Sequence, residues 1–523
     1  MKKILMLLLT ISLVLSLVSF VGIGCKAEEG KAEEEAAAEE EEAEEEVVEE
    51  EVSKSGGELV VRIAGDIENF DTHTDQLQIF RSVFMWTIFE PLVRYDENLE
   101  LQPAIAESWE VQGNSWIFNI RKGIKFHDGS DLTAEDVKYS LDRVKDPETA
   151  SWLIGNLANM TKATVIDDYT LEVELDKTVA SFLDQVSVIG IMPKGSGEDQ
   201  SRNPIGSGPF KFVEYKADQH VIVEKFEDYW VEGKPLLDKI TFRPVPEVSI
   251  ALTELESGDL DIITQISPSE AASVESISNA TLLVQDATTM LAFFEVNRHK
   301  DPLYKPEVYQ ALAKCLDREA VGELVYKGYG TPTNVPVSPL SAFYKEIPSE
   351  YDPEAAKAEL EALGYKEGDI SLKINTWSGL KNLEDMAVIW KEGLNKAGVD
   401  ITIEVGETQV MLDIYNSHSY DIITNIYAPP PDPDAFYDMI WGHRLADDYN
   451  NPDGADLIEQ GRSTFDVNER KEVYDQLQQT SVENGPCVHV WYEAALAGCD
   501  KAVKDLIITP VNDYDFSNVW IEN

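Results

Sequence analysis

The feature that most constrains the fold is a regular alternation of strand-like and helix-like segments in the second half of the chain. In order, these are a strand over 371–377, a helix over 381–397, a strand over 400–404, a helix over 410–417 and a strand over 420–427. Strands separated by helices are joined by right-handed crossovers, which leave the helices covering the faces of the sheet. The sequence therefore predicts an α/β fold with a covered sheet in this part of the chain.

The preceding residues mix strand and helix patterns in a less regular order. A short apolar strand follows Gly57, and helical periodicity follows over 76–89 and again from Thr133 to Val144. Gly and Asp turns separate further short strands, two of which form a hairpin. The other predicted strands are 108–111, 115–121, 164–166, 170–174, the hairpin 211–214 with 220–224, 239–245 and 261–264. The later predicted helices are 249–256, 306–326 and 353–363.

Composition places the chain among globular proteins and excludes nucleic acid as its main partner. The chain has 523 residues, 43% of them apolar, and this length corresponds to about three domains. Acidic residues number 97 against 43 basic ones, so the formal charge of −54 repels phosphate backbones. Four cysteines and seven histidines leave few soft metal ligands. We therefore expect no metal site and no cofactor.

The N-terminus has the pattern of an export signal. Lys2 and Lys3 precede an apolar stretch over 4–21 that ends in small residues and Cys25. The small residues before Cys25 resemble the bacterial lipobox, whose cysteine is acylated, although Gly22 stands where a leucine is usual. An acidic Glu/Ala-rich linker, predicted to be disordered, follows over 26–57. We predict a lipoprotein-type signal peptide over 1–25 and a tether that holds the body off a membrane.

An ordered series of motifs in the body resembles the extracellular solute-binding proteins of family 5, the oligopeptide-, dipeptide- and nickel-binding subunits of ABC importers. The first motifs form one block, Leu101–Trp109, Phe118–Gly129 and Leu132–Val137. The later ones are Pro204–Phe210, Asp228–Trp230, Gly258–Ile262, Asp317–Glu319 and Tyr351–Gly364. They are collinear with the family and cover nearly all of 58–523, so the resemblance is specific.

The resemblance implies a periplasmic-binding-protein fold of two α/β lobes joined by a hinge, with an additional inserted domain. It assigns 58–90, 203–295 and 490–523 to lobe I, 91–202 to the inserted domain and 296–489 to lobe II. It also implies that the lobes close around a solute and deliver it to an ABC permease and its ATPase. We accordingly predict an exported monomer that contacts the membrane only through its lipid and faces the periplasm or the cell exterior.

Solute sites in hinged α/β lobes lie at strand ends that face the cleft. Three segments meet this description: Gln76 and Gln78 follow the opening strand, Trp377 ends the strand over 371–377, and Tyr427 ends the strand over 420–427. Aromatic rings at such positions stack on sugars or on peptide side chains, although each ring has an ordinary alternative as a core residue. By family position the candidates also include Trp152 and Trp441. Arg444, just beyond Trp441, is a candidate for bidentate binding of a carboxylate, and its alternative is a surface ion pair.

One position departs from the peptide-binding members of the family. In those members, the segment that follows the last of these strands resembles Ala-Asp-Tyr-x-x-Pro, and its Asp pairs with the α-ammonium of the peptide. Here Pro429 follows Ala428, so the carboxylate is missing. A carboxylate in a desolvated cleft contributes up to a few kcal/mol against an amine, so its loss weakens a peptide assignment. Asp432 or Asp434 is the candidate replacement, and the alternative is that both shape the Pro-rich turn.

The predicted function is therefore solute capture for import, with an oligopeptide or dipeptide favoured. An oligosaccharide is the second ligand because of Pro429 and the aromatic candidates, and a nickel chelate is the third. The alternatives from other classes are a sensor that presents its ligand and a secreted hydrolase. The chain has no Gly-x-Ser-x-Gly, His-Glu-x-x-His or phosphate-loop motif, so we predict that it is not an enzyme.

Two cysteines near the C-terminus complete the candidate residues. Cys487 and Cys499 flank the segments 488–491 and 495–498, which have the composition of paired strands. In an oxidising compartment such a pair can form a disulfide. The sequence leaves open whether the two residues are bonded or are free thiols.

Overall fold

The computed structural model describes residues 55–442 and 452–522, with side chains described for all of these except residues 441, 442, 452 and 453. The predicted signal peptide, Cys25 and nearly all of the acidic linker lie outside the described residues. Within the described ranges, no helix is long and apolar enough to cross a membrane.

The described residues form three main sheets with helices packed on them. The strands are β1 (Glu58–Ile63), β2 (Val93–Tyr95), β3 (Leu101–Pro103), β4 (Ala106–Gln112), β5 (Ser115–Ile120), β6 (Met160–Asp167), β7 (Thr170–Leu175), β8 (Phe210–Lys216), β9 (His220–Lys225), β10 (Lys239–Pro244), β11 (Ile262–Ile263), β12 (Ala280–Gln285), β13 (Leu291–Val296), β14 (Thr331–Pro332), β15 (Ser371–Trp377), β16 (Asp400–Gly406), β17 (Ile422–Tyr427), β18 (Cys487–Tyr492), β19 (Ala495–Asp500), β20 (Val503–Lys504), β21 (Ile507–Ile508), β22 (Tyr514–Asp515) and β23 (Trp520–Ile521).

The helices are α1 (Gln78–Ile88), α2 (Ala134–Lys145), α3 (Phe182–Val186), α4 (Val248–Ser257), α5 (Ala271–Glu275), α6 (Pro306–Ala313), α7 (Arg318–Leu324), α8 (Pro353–Ala362), α9 (Lys381–Lys396), α10 (Thr408–Asn416), α11 (Pro433–Tyr437), α12 (Pro452–Ser463) and α13 (Val467–Asn484). Three short 3₁₀ or π turns cover Pro147–Thr149, Trp152–Leu157 and Asp438–Gly442.

Seven strands form the sheet that defines lobe I, in the order β12-β19-β11-β1-β10-β9-β8. β1 runs parallel to both of its neighbours, β10 and β11, and the other pairs are antiparallel. Leu59, Val61 and Ile63 alternate along β1 and are fully buried in one cluster with residues of α1. This alternation fixes the register, because a slip of one residue would move the three apolar side chains to the opposite face.

Arg62 points to the other face of β1 and ties the ends of three strands together. It is buried, and its guanidinium donates to the carbonyl oxygens of Val245, Thr264 and Pro246 at 2.8, 2.8 and 3.2 Å. These carbonyls lie just beyond β10 and β11, the two strands that flank β1. Burial lowers the pKa of Arg62, and the three acceptors are what make a desolvated guanidinium tolerable here.

The inserted domain is a four-stranded antiparallel sheet, β4-β5-β7-β6, with α2 packed on it. α2 begins where its sequence predicts, because Thr133 and Asp136 form a reciprocal capping box. Val137, Leu141 and Val144 lie on one face of the helix and are fully buried in the core of this domain. The four strands and the helix predicted for this region are confirmed.

Six strands form the sheet that defines lobe II, in the order β14-β18-β13-β17-β15-β16. β15 is parallel to both β16 and β17, with α9 and α10 as the connections between them. The predicted alternation of strand and helix is confirmed. Trp390 of α9 is fully buried and donates from Nε1 to the carbonyl oxygen of Leu312, which fixes this helix in the lobe II core.

Two extended crossovers join the sheets of lobe I and lobe II. One runs from β12 to β13 and the other from β18 to β19, close to the predicted lobe boundaries at 296 and 490. The two crossovers are hydrogen-bonded to each other. Glu493 N donates to Met290 O at 2.9 Å, and Thr288 Oγ1 donates to Glu493 O at 2.6 Å. We call this pair of segments, 286–290 and 493–494, the paired crossovers.

Two sequence predictions are wrong. The helix predicted over 306–326 is divided into α6 and α7, because the Asp317 side chain accepts a hydrogen bond from Ala320 N and starts a new helix. The predicted pairing around the C-terminal cysteines also fails. Cys487 lies in β18 of the lobe II sheet and Cys499 in β19 of the lobe I sheet, and both are buried free cysteines. The local apolar pattern is that of two strands, but the strands continue across a crossover instead of turning back.

We predict that Arg62→Met lowers the free energy of unfolding by about 3 kcal/mol, because three buried carbonyls lose a charged donor. Arg243 is the matched control, since it is the register partner of Arg62 on β10. Its ion pair with Glu254 is partly exposed, so Arg243→Met is expected to cost less than about 1 kcal/mol. Urea titration of both variants measures the difference, and equal losses would contradict the role given to Arg62.

Candidate ligand-binding cleft

One cavity is bounded by lobe I, the inserted domain and lobe II together. Its volume is about 50 Å³, room for a few water molecules. The walls come from the start and middle of α1, the inserted domain, the segment after β17 and the loop before β22. The lining residues include Gln78, Arg81, Trp86, Trp152, Thr289, Pro429, Pro430, Pro431 and Asp513.

Arg81 projects from α1 and is the cation of the cavity wall. The guanidinium carbon lies 4.8 Å from the centroid of the Trp152 ring. Burial lowers the pKa of Arg81, and the charges of Asp513 and Tyr427 partly oppose this effect. A cation over an indole face gains electrostatic attraction, especially where water is excluded. α1 and the inserted domain therefore hold one charged group and one aromatic face together at the cavity.

Asp513 is the carboxyl group of the cavity wall. Trp86, one turn and a half further along α1 than Arg81, donates from Nε1 to Asp513 Oδ2 at 2.5 Å. Burial raises the pKa of Asp513 to about 7, against the opposing effects of Arg81 and Trp86. The cavity thus carries a guanidinium and a carboxyl group that titrates near neutral pH.

An apolar part of the wall comes from the chain after β17. Pro429, Pro430 and Pro431 line the lobe II side, and Pro429 is buried. Proline has no backbone N–H, so this run presents ring surface instead of donors. Fixed φ angles also make the wall stiff. The position at which the family resemblance predicts a carboxylate is therefore part of an apolar wall in this chain.

Residues 100–447 match the model of a family described as bacterial extracellular solute-binding proteins, family 5 middle. The match covers more than half of the chain. The chain belongs to this family.

Relatives and solved structures agree with this assignment. The oligopeptide-binding protein AppA of Bacillus subtilis is 28% identical over 510 residues, covering 90% of this chain and 92% of AppA. The AppA structure in complex with a nonapeptide has a TM-score of 0.74 at 25% identity, covering 90% of this chain and 100% of that chain. The dipeptide-binding protein of Escherichia coli is 26% identical over 470 residues, covering 81% of this chain and 86% of that protein.

The ABC transporter substrate-binding protein CtaP of Listeria monocytogenes has a TM-score of 0.81 at 25% identity, covering 90% of this chain and 100% of that chain. The predicted two-lobe periplasmic-binding-protein fold is thereby confirmed. The family assignment also confirms that this chain is a binding protein and not an enzyme.

The structure gives Asp432 and Asp434 of this family 5 protein other partners than a ligand. Asp432 is bound by both terminal nitrogens of Arg470, at 2.5 and 2.8 Å, and its side chain also accepts from Asp434 N. Asp434 is buried, is bound by Arg462 at 3.0–3.1 Å and accepts from Ser181 Oγ at 2.7 Å. Neither residue lines the cavity. The alternative reading, in which both shape the Pro-rich turn, agrees with these contacts.

These contacts connect lobe II to the inserted domain beside the cavity. Ala180 N donates to Arg462 O at 2.7 Å, and Asp432 N donates to Asp184 Oδ1 at 3.3 Å. Burial and the charge of Asp432 raise the pKa of Asp184 well above its usual value. Tyr95 also donates to Asp184 Oδ1, at 2.6 Å. The inserted domain therefore closes one side of the cavity by hydrogen bonds to the turn that follows β17.

Of the remaining predicted ligand residues, some line the cavity and others lie at the surface or against the lobe II core. Gln78 and Trp152 line the cavity, whereas Gln76 is exposed and does not. Trp377 packs against the lobe II core and donates from Nε1 to Thr424 O at 2.7 Å. The alternative of a core residue therefore fits Trp377 better than a stacking role.

Tyr427 ends β17 directly before the Pro-rich wall and lies close enough to Arg81 to affect its pKa. Trp441 has its backbone in the π turn, and its side chain is not among those described. Arg444 lies outside the described residues. A ligand role for these three residues stays a prediction.

Sequence reasoning missed Arg81, Trp86 and Asp513. A sequence signal for Arg81 was present, because it is the only charged residue of the apolar helix α1. Asp513 comes from the far end of the chain, in a turn with no periodic pattern. Only the tertiary fold brings it to α1.

We predict that Asp432→Ala lowers the free energy of unfolding by about 3 kcal/mol, since it leaves the Arg470 guanidinium buried without its carboxylate. Gln76→Ala is the matched control from the same set of predicted ligand residues, and it should change stability by less than about 0.5 kcal/mol. Chemical denaturation measures both. An Asp432→Ala protein with unchanged stability and weakened solute binding would restore Asp432 to the ligand site.

Proposed function

We propose that this chain is the solute-binding subunit of an ABC importer and captures an oligopeptide or dipeptide between its lobes. The observation that carries the proposal is a cavity walled by lobe I, the inserted domain and lobe II at once. Relatives named for oligopeptide and dipeptide binding cover most of the chain. A ligand in such a position contacts every rigid part of the protein and stabilises the closed arrangement.

The size of the cavity supports a mechanism that includes opening. Ligand sites of small solutes occupy at least about 300 Å³, several times the 50 Å³ found between the lobes. Entry therefore requires the lobes to separate, and the paired crossovers are the segments about which they do so. Hinges of this kind absorb the change in a few backbone dihedrals while the sheets stay intact.

The charges of the cavity favour a peptide over a sugar. Arg81 is cationic and Asp513 is partly anionic near neutral pH, so the walls offer complementary charges to a zwitterion. A neutral oligosaccharide leaves both groups without ionic partners. The aromatic rings of Trp86 and Trp152 suit either ligand. The oligosaccharide stays the second candidate because Pro429 presents no carboxylate to an α-ammonium.

Export, anchoring and delivery complete the proposal. The N-terminal pattern supports secretion and acylation at Cys25, and residues 26–57 then serve as a charged tether outside the membrane. Such a tether extends by self-repulsion and leaves the body free to meet its permease. The alternative function is signalling, in which the closed, ligand-bound protein docks on a sensor instead of a permease.

A thermal-shift screen tests the proposed function. The protein is unfolded and refolded to remove bound solute, then heated with di- to pentapeptides, with cello- and xylo-oligosaccharides and with Ni²⁺ chelates. A ligand at about 100 times its Kd adds about 2.7 kcal/mol, a rise in Tm on the order of 3 °C for a body of this size. We expect the rise with peptides. If only oligosaccharides raise the Tm, the ligand is an oligosaccharide and not a peptide. If only the Ni²⁺ chelates raise the Tm, both the peptide and the oligosaccharide assignments are contradicted.

A further inference from the structure

Arg81 carries a charged group in the cavity wall. Throughout the part of the chain that the structure describes, its guanidinium forms no hydrogen bond and no ion pair, and its contact is with the face of the Trp152 ring. Asp513 is near enough to influence the pKa of Arg81 but is bound by Trp86. Arg81 is half-buried, and a cation that loses part of its hydration is destabilised unless an acceptor pairs with it.

Other arginines of the protein show what is missing at Arg81. Arg318 donates to the carbonyl oxygens of Thr333 and His489. Arg470 binds both oxygens of Asp432. These guanidiniums hold elements of the fold together, whereas that of Arg81 faces the space between the lobes. Arg318 and Arg470 therefore have their acceptors within the fold, whereas Arg81 has none among the described residues.

A second donor in the same wall lacks an acceptor. The indole Nε1 of Trp152 is buried and makes no hydrogen bond within the described residues. An indole N–H is only a donor, so its partner must be an acceptor atom. Arg81 and Trp152 are in contact with each other. Two adjacent residues of the cavity wall therefore each have a donor without an acceptor among the described residues.

Building on the proposed function, we propose that Arg81 and Trp152 Nε1 together bind a carboxylate of the captured solute. The guanidinium fork matches the two oxygens of a carboxylate, and the indole supplies a further donor. The solute is then an acid, and for a peptide the carboxylate comes either from the free C-terminus or from an acidic side chain. A neutral sugar or an uncharged peptide amide lacks the group that this site is built to pair.

Three matched peptide pools test the proposal on the full exported chain. They are random tripeptides of uncharged residues as free acids, the same sequences as C-terminal amides, and amides with one Glu in each peptide. We expect the free acids to bind at least about 30-fold more tightly than the plain amides, as for other desolvated charge pairs. Tight binding by the Glu-containing amides would assign the site to a side-chain carboxylate. Equal binding of acids and plain amides would overturn the proposal and leave peptide capture standing.

The variants Arg81→Gln and Trp152→Phe locate the effect. Arg81→Gln should remove the preference for acids, and Trp152→Phe, which keeps an aromatic face but not the N–H, should reduce it several-fold. Arg243→Gln removes the same charge from the surface of lobe I and should leave the preference intact. A preference that survives in Arg81→Gln would overturn the proposal.

The stability of the solute-free protein gives a readout that needs no ligand. Because Arg81 has no acceptor among the residues that the structure describes, Arg81→Gln should keep or raise the Tm, whereas Arg470→Gln should lower it. A fall in the Arg81→Gln Tm equal to that of Arg470→Gln would make Arg81 a structural residue and overturn the proposal. A shift with neutral oligosaccharides and with none of the peptide pools would overturn both this proposal and the proposed function.

Discussion

The hydrogen bonds between the paired crossovers are the constraint on which the rest of the structure depends. Glu493 exchanges bonds with the segment 286–290 through its N–H and its carbonyl oxygen, and its side chain accepts from Tyr326 and Asn382. Two chain segments fixed side by side permit rotation of one sheet against the other without a break in either. The proposed closure of the lobes depends on this arrangement.

The buried and half-buried charges of the protein separate into two groups with different roles. Arg62, Arg462 and Arg470 have their acceptors within the fold and stabilise it. Arg81 and Asp513 face the cavity, and there burial alters their pKa values instead of being offset by a close ion pair. A polar group left without a partner lowers stability. A ligand that binds between the three domains would supply the partner that Arg81 needs.

Much of the fold was predictable because its signals are local. The alternation over 371–427, the capping box at Thr133 and the motif series of the family each depend on neighbouring residues. The cavity could not be predicted, because contacts between distant segments form it. Trp86 and Asp513, for example, are 427 positions apart. The same limit explains the error at Cys487 and Cys499, where two strand-like segments belong to different sheets.

Closure around a peptide acid is the central claim, and small-angle X-ray scattering tests it most directly. Profiles of the refolded, solute-free protein are compared with profiles recorded at saturating concentrations of a peptide that raises its Tm. We predict a smaller radius of gyration with the peptide, because rotation at the paired crossovers brings lobe II onto lobe I and the inserted domain. Superimposable profiles with bound peptide would contradict capture by closure.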